Sequence, residues 1–94
     1  MMLALTRPHT TMKSEMNPIL INVNDVFVSS KARRKVDDKK VALHAARYEN
    51  GEYVMPIDVR RVDDGYIISG NGRHRYFGAV EAGMDTIYAN VLED

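Results

Sequence analysis

A chain of 94 residues with no cysteine must hold its fold by packing alone. It can have no disulfide scaffold, no thiolate zinc site, no cysteine nucleophile and no redox chemistry at sulfur. The length admits one small domain, which buries only ~60–65% of its unfolded surface. Apolar residues make up 45% and charged residues 28%, a globular balance that excludes disorder. No apolar run approaches the ~18 residues of a membrane span. Met1 to Leu5 is too short for a signal peptide and is followed by Arg7, His9 and Lys13. A cytoplasmic protein with no membrane partner is expected.

Lys plus Arg and Asp plus Glu each number 13, so the net charge is zero. That argues against a body that is wholly a nucleic-acid clamp. The charge is uneven, however. Lys31, Arg33, Arg34, Lys35, Lys39, Lys40 and Arg47 face only Asp37 and Asp38 in the same stretch. The last fourteen residues hold Glu81, Asp85, Glu93 and Asp94 and no base. The basic stretch reads either as a solvated segment or as an anion patch for nucleotide phosphate or nucleic-acid backbone.

Residues 1–17 show no period and end before Pro18, which reads as a flexible arm carrying an inert His9. The domain is expected over residues 18–94. Ile19 to Val23 is rich in β-branched residues and reads as a strand, which Asp25 to Val28 extends or turns away from. Ser29 to Lys35 reads as a loop. Asp37 or Asp38 caps a helix through Lys40 to Tyr48, with Val41, Ala45 and Tyr48 on one face and Gly51 at its end. Pro56 opens a strand in which Ile57 and Val59 alternate with Asp58 and Arg60. Asp63-Asp64-Gly65 turns the chain into a hairpin with Tyr66 to Ser69. Gly70-Asn71-Gly72 turns it again into a helix over His74 to Ala82, whose apolar stripe is Tyr76, Ala79 and Val80. After Gly83, Ile87 to Val91 forms a last strand, whose exposed edge offers a route to a homodimer. The expected class is α+β: a small mixed sheet carrying two main helices.

The chemistry concentrates in Gly70-Asn71-Gly72-Arg73-His74-Arg75. Two glycines let the backbone turn tightly and approach a ligand. The first N–H groups of the next helix carry the positive end of its dipole. Two arginines and one histidine add charge and a titratable group. The sum is an anion site suited to phosphate. It is not a P-loop, since no Gly-Lys-Ser/Thr follows, nor a dinucleotide fingerprint, since Arg75 stands where the third glycine would be. A structural loop with exposed arginines is the competing reading. His74 is the best candidate for acid–base work near neutral pH. His44 sits mid-helix and reads as a surface or packing residue. Asp37 and Asp38 read as a cap, and no His/Asp/Glu cluster has metal spacing.

The block from Pro56 to Val91 resembles the core of the ParB/sulfiredoxin superfamily. The matching pieces are Pro56-Ile57-Asp58-Val59, Asp64-Gly65-Tyr66, Gly72-Arg73-His74-Arg75-Tyr76, Ala82-Gly83 and Ile87-Tyr88-Ala89-Asn90-Val91, in the family's order. The upstream strand and the helix that starts at Lys39-Lys40-Val41 also fit. The resemblance implies the ParB/sulfiredoxin-like fold. In sulfiredoxins the turn binds ATP phosphates and its cysteine reduces a sulfinic acid. Arg73 stands at that cysteine's position, so this activity is excluded. Gly72, His74 and Arg75 match phosphate-contacting positions, and Lys40 matches a basic residue on the first helix. Leu43 and Arg47 replace hydroxyl residues of that helix. In ParB proteins the same turn binds CTP; there Arg73 and His74 depart from a Gly-Glu-Arg-Arg pattern, and a helix-turn-helix domain follows. Free-serine kinases and ParB-like nucleases are further relatives.

Together these readings give the expected site. Gly70, Asn71 and Gly72 shape the turn, Arg73, His74 and Arg75 hold phosphates, and Lys40 and Arg47 reach in. The ligand is a nucleoside triphosphate, ATP or CTP, with or without magnesium, and any chemistry is phosphoryl transfer or NTP hydrolysis. Lys31, Arg33, Arg34, Lys35 and Lys39 form a nucleic-acid or anion patch, so DNA binding or nuclease action is the first alternative. An accessory role on a larger protein partner is the second.

Overall fold

The computed structural model describes residues 17–92. The expected arm, apart from Asn17, and its His9 lie outside the described residues, as do Glu93 and Asp94. The chain runs β1 (Ile19–Asn22), a 3-10 turn (Val23–Asp25), β2 (Val26–Phe27), α1 (Ser30–Arg33), α2 (Asp38–Glu49), β3 (Ile57–Val62), β4 (Gly65–Ile68), α3 (Arg73–Glu81) and β5 (Thr86–Leu92). The five strands form one mixed sheet in the order β1-β5-β3-β4-β2. β1/β5 and β3/β4 are antiparallel, whereas β3/β5 and β2/β4 are parallel. The α+β class with a small mixed sheet is as expected.

Alternation builds the core. Ile57 and Val59 of β3 and Ile87 and Ala89 of β5 are buried, while Asp58, Arg60, Thr86 and Tyr88 between them are exposed. Ile21, Val23, Val26 and Ala79 complete the cluster, with Tyr48, Tyr66, Ile68, Tyr76 and Val91 packed against it. Among the described residues no polar or charged residue is buried as a whole, and no helix is long and apolar enough to cross a membrane.

Four local expectations change. The segment from Ser29 is not all loop: α1 occupies Ser30–Arg33, nucleated by Ser29 Oγ, which accepts from the Ala32 N–H at 3.1 Å. Residues 23–25 form a 3-10 turn, fixed by the Asn22 side chain accepting from the Asn24 N–H. The stripe of α3 is rotated. Ala79 is buried and Tyr76 packs on the core, but Val80 is 45% exposed and Gly78 is buried instead. A Cβ at Gly78 would stand 2.6 Å from the His44 Cβ and 2.9 Å from the Ala45 nitrogen. The bare glycine lets α3 press on α2 there, and Val80 turns outward. Finally, β5 is not an edge: it lies between β1 and β3, and the edges are β1 and β2.

Candidate functional site

The site begins where β4 ends. The Ser69 N–H donates to the Asp58 carbonyl at 2.8 Å, holding the end of the hairpin. Gly70 then takes φ +78°, the left-handed region that side chains disfavour. Gly72 has an ordinary φ, and its requirement is space: a Cβ there would stand 2.9 Å from the Ile57 Cβ. Gly72 is also the N-cap of α3 and offers no side-chain acceptor to the first turn. The N–H groups and the positive dipole end of a nine-residue helix are therefore directed out beside Gly70 and Asn71.

Three consecutive side chains at this helix start are fastened to two neighbouring segments. Arg73 Nε donates to the Lys35 carbonyl at 3.2 Å. His74 Nε2 accepts from the Asp37 backbone N–H at 2.9 Å. Arg75 Nη1 donates to the carbonyls of Met55 (3.1 Å) and Pro56 (2.9 Å). The turn thus gathers the α1–α2 loop on one side and the strand leading into β3 on the other. Arg73 and Arg75 keep further guanidinium N–H groups beyond these bonds.

α2 supplies the facing wall. Asp37 caps it, accepting from the Lys39 N–H at 2.9 Å. The His74 imidazole is held below its ordinary value of 6.5, first by burial and then by the charges of Arg73 and Lys40, against the Asp37 carboxylate and a backbone bond at Lys35. His44 is lowered too, by burial and then by Arg47, Arg75 and His74. Lys40 thus acts on His74, and His44 feels both His74 and Arg75 of the α3 turn. Burial raises the Tyr48 phenol, with Arg75 opposing. Among the described residues, His44 Nδ1 and Asn90 Oδ1 are the shielded side-chain atoms without a hydrogen-bond partner.

Gly70 to Arg75 make up the turn, and the charge of Lys40 reaches His74 from α2, while Arg47 is exposed and acts on His44 of its own helix. Of the patch residues, Lys31, Arg34, Lys35 and Lys39 are exposed around α1 and the start of α2. Arg33 is exposed as well, with its guanidinium over the Phe77 ring of α3, 5.8 Å from its centroid. His44 and Gly78 were not legible as site-forming residues from spacing alone. The one signal was a glycine inside a helical pattern, which marks close packing. No group of three His, Asp or Glu side chains gathers as a metal site among the described residues.

No family model matches the chain, and no curated protein matches it by sequence. Solved structures do match by shape. A sulfiredoxin from Arabidopsis thaliana has 22% identity and a TM-score of 0.69, over 83% of this chain and 86% of that one. The C-terminally truncated chromosome-partitioning protein ParB from Caulobacter crescentus, complexed with CTP-gamma-S, has 20% identity and a TM-score of 0.68, over 83% and 45%. A free serine kinase mutant in complex with AMP has 18% identity and a TM-score of 0.67, over 83% and 32%. The chain therefore spans most of the sulfiredoxin, under half of the ParB fragment and about a third of the kinase. It has the ParB/sulfiredoxin-like fold.

Proposed function

We propose that this chain binds a nucleotide by its phosphates at the α3 turn. The observation that carries the reading is the convergence of an uncapped helix start with Arg73, Arg75 and Lys40 around one exposed glycine turn. Phosphate oxygens would accept from the first-turn N–H groups of α3 and from the free guanidinium N–H groups, with Lys40 and Arg47 adding charge from α2. Two structures of this fold hold CTP-gamma-S and AMP, and a third, of the free serine kinase, holds ADP, which supports a nucleotide over a bare anion. His74 serves this site by position: its Nε2 holds the α1–α2 loop against the helix start.

The test is a thermal-shift series with ATP, CTP, GTP and UTP, each with and without magnesium. A ligand at 100 times its Kd stabilises the native state by ~2.7 kcal/mol, about 10 °C or more for a domain of this size. A shift with one nucleotide establishes the site and its base preference; no shift with any of the four removes the reading.

A second reading follows from the bond between Arg73 and Lys35. It ties the turn to the exposed Lys31, Arg34, Lys35 and Lys39, so the positive surface continues past the phosphate site. A nucleic-acid backbone would use that whole strip. Its mark is affinity for single- or double-stranded DNA that falls steeply with salt.

A further inference from the structure

Away from the turn, the β1/β5 side of the molecule carries an apolar groove of about 390 Å³. Three tyrosines from three parts of the chain wall it: Tyr48 near the end of α2, Tyr53 in the loop that follows, and Tyr88 in β5. Tyr48 packs against the core, whereas Tyr53 is 81% exposed and Tyr88 is 55% exposed. Leu20 of β1 is the direct cross-strand partner of Tyr88, so the opening is one surface and not scattered side chains. Glu52 carries the charge in this lining, and among the described residues no lysine, arginine or histidine joins it. An open apolar surface of this kind and volume marks a binding site.

We propose that the groove binds a proline-rich segment of another protein, in the polyproline II conformation and with a basic residue at one end. The chemistry of the lining selects this partner. Glu52 with no base beside it favours a cationic ligand and disfavours a phosphate, which separates this surface from the α3 turn. The tyrosine rings offer flat apolar faces to pyrrolidine rings, and each ring carries a hydroxyl that can donate. A polyproline II segment has no internal hydrogen bonds, so its carbonyls are left to accept from those hydroxyls. A helix spends its carbonyls on itself. An added strand would need free backbone groups, and β5, which supplies Tyr88, is paired on both sides. The proline-rich chain is also preset in shape, so a small groove loses little of its binding energy to ordering.

The groove and the α3 turn share a wall. Pro56 lines the groove, and its carbonyl accepts from Arg75. A docked segment would therefore lean on the strand entry that Arg75 holds. The docking itself stands whether or not the turn binds a nucleotide.

The test is fluorescence anisotropy of the full chain with a labelled peptide of Pro-Leu-Pro repeats that carries two arginines at one end. Saturable binding is expected, and none up to ~1 mM protein overturns the proposal. The same peptide with every proline replaced by alanine should bind about tenfold more weakly; equal binding overturns the polyproline assignment. Tyr53→Ala should weaken binding about tenfold, and Leu43→Ala, exposed on α2 and outside the groove, should leave it unchanged. Tyr53 is open enough that its loss does not threaten folding. Glu52→Lys should weaken binding of the arginine peptide about fivefold and favour a peptide with glutamates in place of the arginines. Binding that ignores both Tyr53→Ala and Glu52→Lys places the peptide elsewhere and overturns the proposal. A dimer of the free protein in sedimentation that Tyr53→Ala dissolves overturns it as well and assigns the groove to a second copy.

Discussion

The backbone N–H of Asp37 donates to Nε2 of His74 at 2.9 Å. The bond requires an unprotonated Nε2, so the imidazole must be neutral for the α1–α2 loop to stay fastened to the start of α3. Burial, then Arg73 and Lys40, push its pKa below 6.5 and so favour the neutral form. A histidine lowered on folding gives stability that is present above the unfolded value and is lost as pH falls toward the folded one. His44 is lowered in the same direction and adds to the effect. The urea midpoint should therefore drop between about pH 7.5 and 5.5. His74→Gln should weaken that pH dependence, and an unchanged dependence would remove His74 from the account.

The side chain of Asp37 has a separate task. It caps α2 by accepting from the Lys39 N–H, while its backbone N–H serves His74. Asp37→Ala removes the cap and leaves the backbone bond. The expected loss is about 1 kcal/mol in denaturant unfolding. The pH dependence credited to His74 should largely survive, because the donor to Nε2 remains. Loss of both together would mean that the cap and the latch are one unit.

Gly78 decides how closely α3 meets α2. A Cβ at that position would lie 2.6 Å from the His44 Cβ and 2.9 Å from the Ala45 backbone nitrogen, and backbone cannot swing aside. Alanine gains up to ~1 kcal/mol of helix propensity over glycine, but overpacking costs about 1–3 kcal/mol. Gly78→Ala should thus be net destabilising by urea melt, and nucleotide response should weaken with it as the two walls of the site part. A stabilised variant would show that the helices separate freely.

Much of this was readable in advance, for physical reasons that differ by element. The first four residues of β3 and of β5 alternate between buried and exposed, a period-two pattern that is local in sequence. The α3 turn was readable because glycine, helix start and basic residues are local neighbours. What escaped depends on contacts distant in sequence. Arg73, His74 and Arg75 read as three phosphate ligands in a row, yet each is bonded to a segment at least nineteen positions away. The outward turn of Val80 followed from where Gly78 meets His44, which no pattern within α3 reveals. α1 escaped because one helical turn carries almost no period of its own. It rests on the Ser29 cap, and its Arg33 lies over Phe77.

Lys40 and Arg75 should separate binding from folding. Lys40 is exposed and acts on the site by its charge, which His74 senses. Arg75 is partly buried, and its Nη1 holds two carbonyls of the strand entry into β3. Lys40→Ala should leave the unfolding midpoint of the free protein nearly unchanged. If a nucleotide binds at the turn, that variant should weaken binding about ten- to a hundredfold, the loss of one charge-assisted contact. Arg75→Ala should weaken binding and also lower the stability of the free protein by about 2 kcal/mol, because it frees two carbonyls. Calorimetric titration beside urea melts reads both quantities on the same samples. If Lys40→Ala left affinity unchanged while Arg75→Ala only lowered stability, the turn would be a structural clasp and the phosphate site would lie elsewhere.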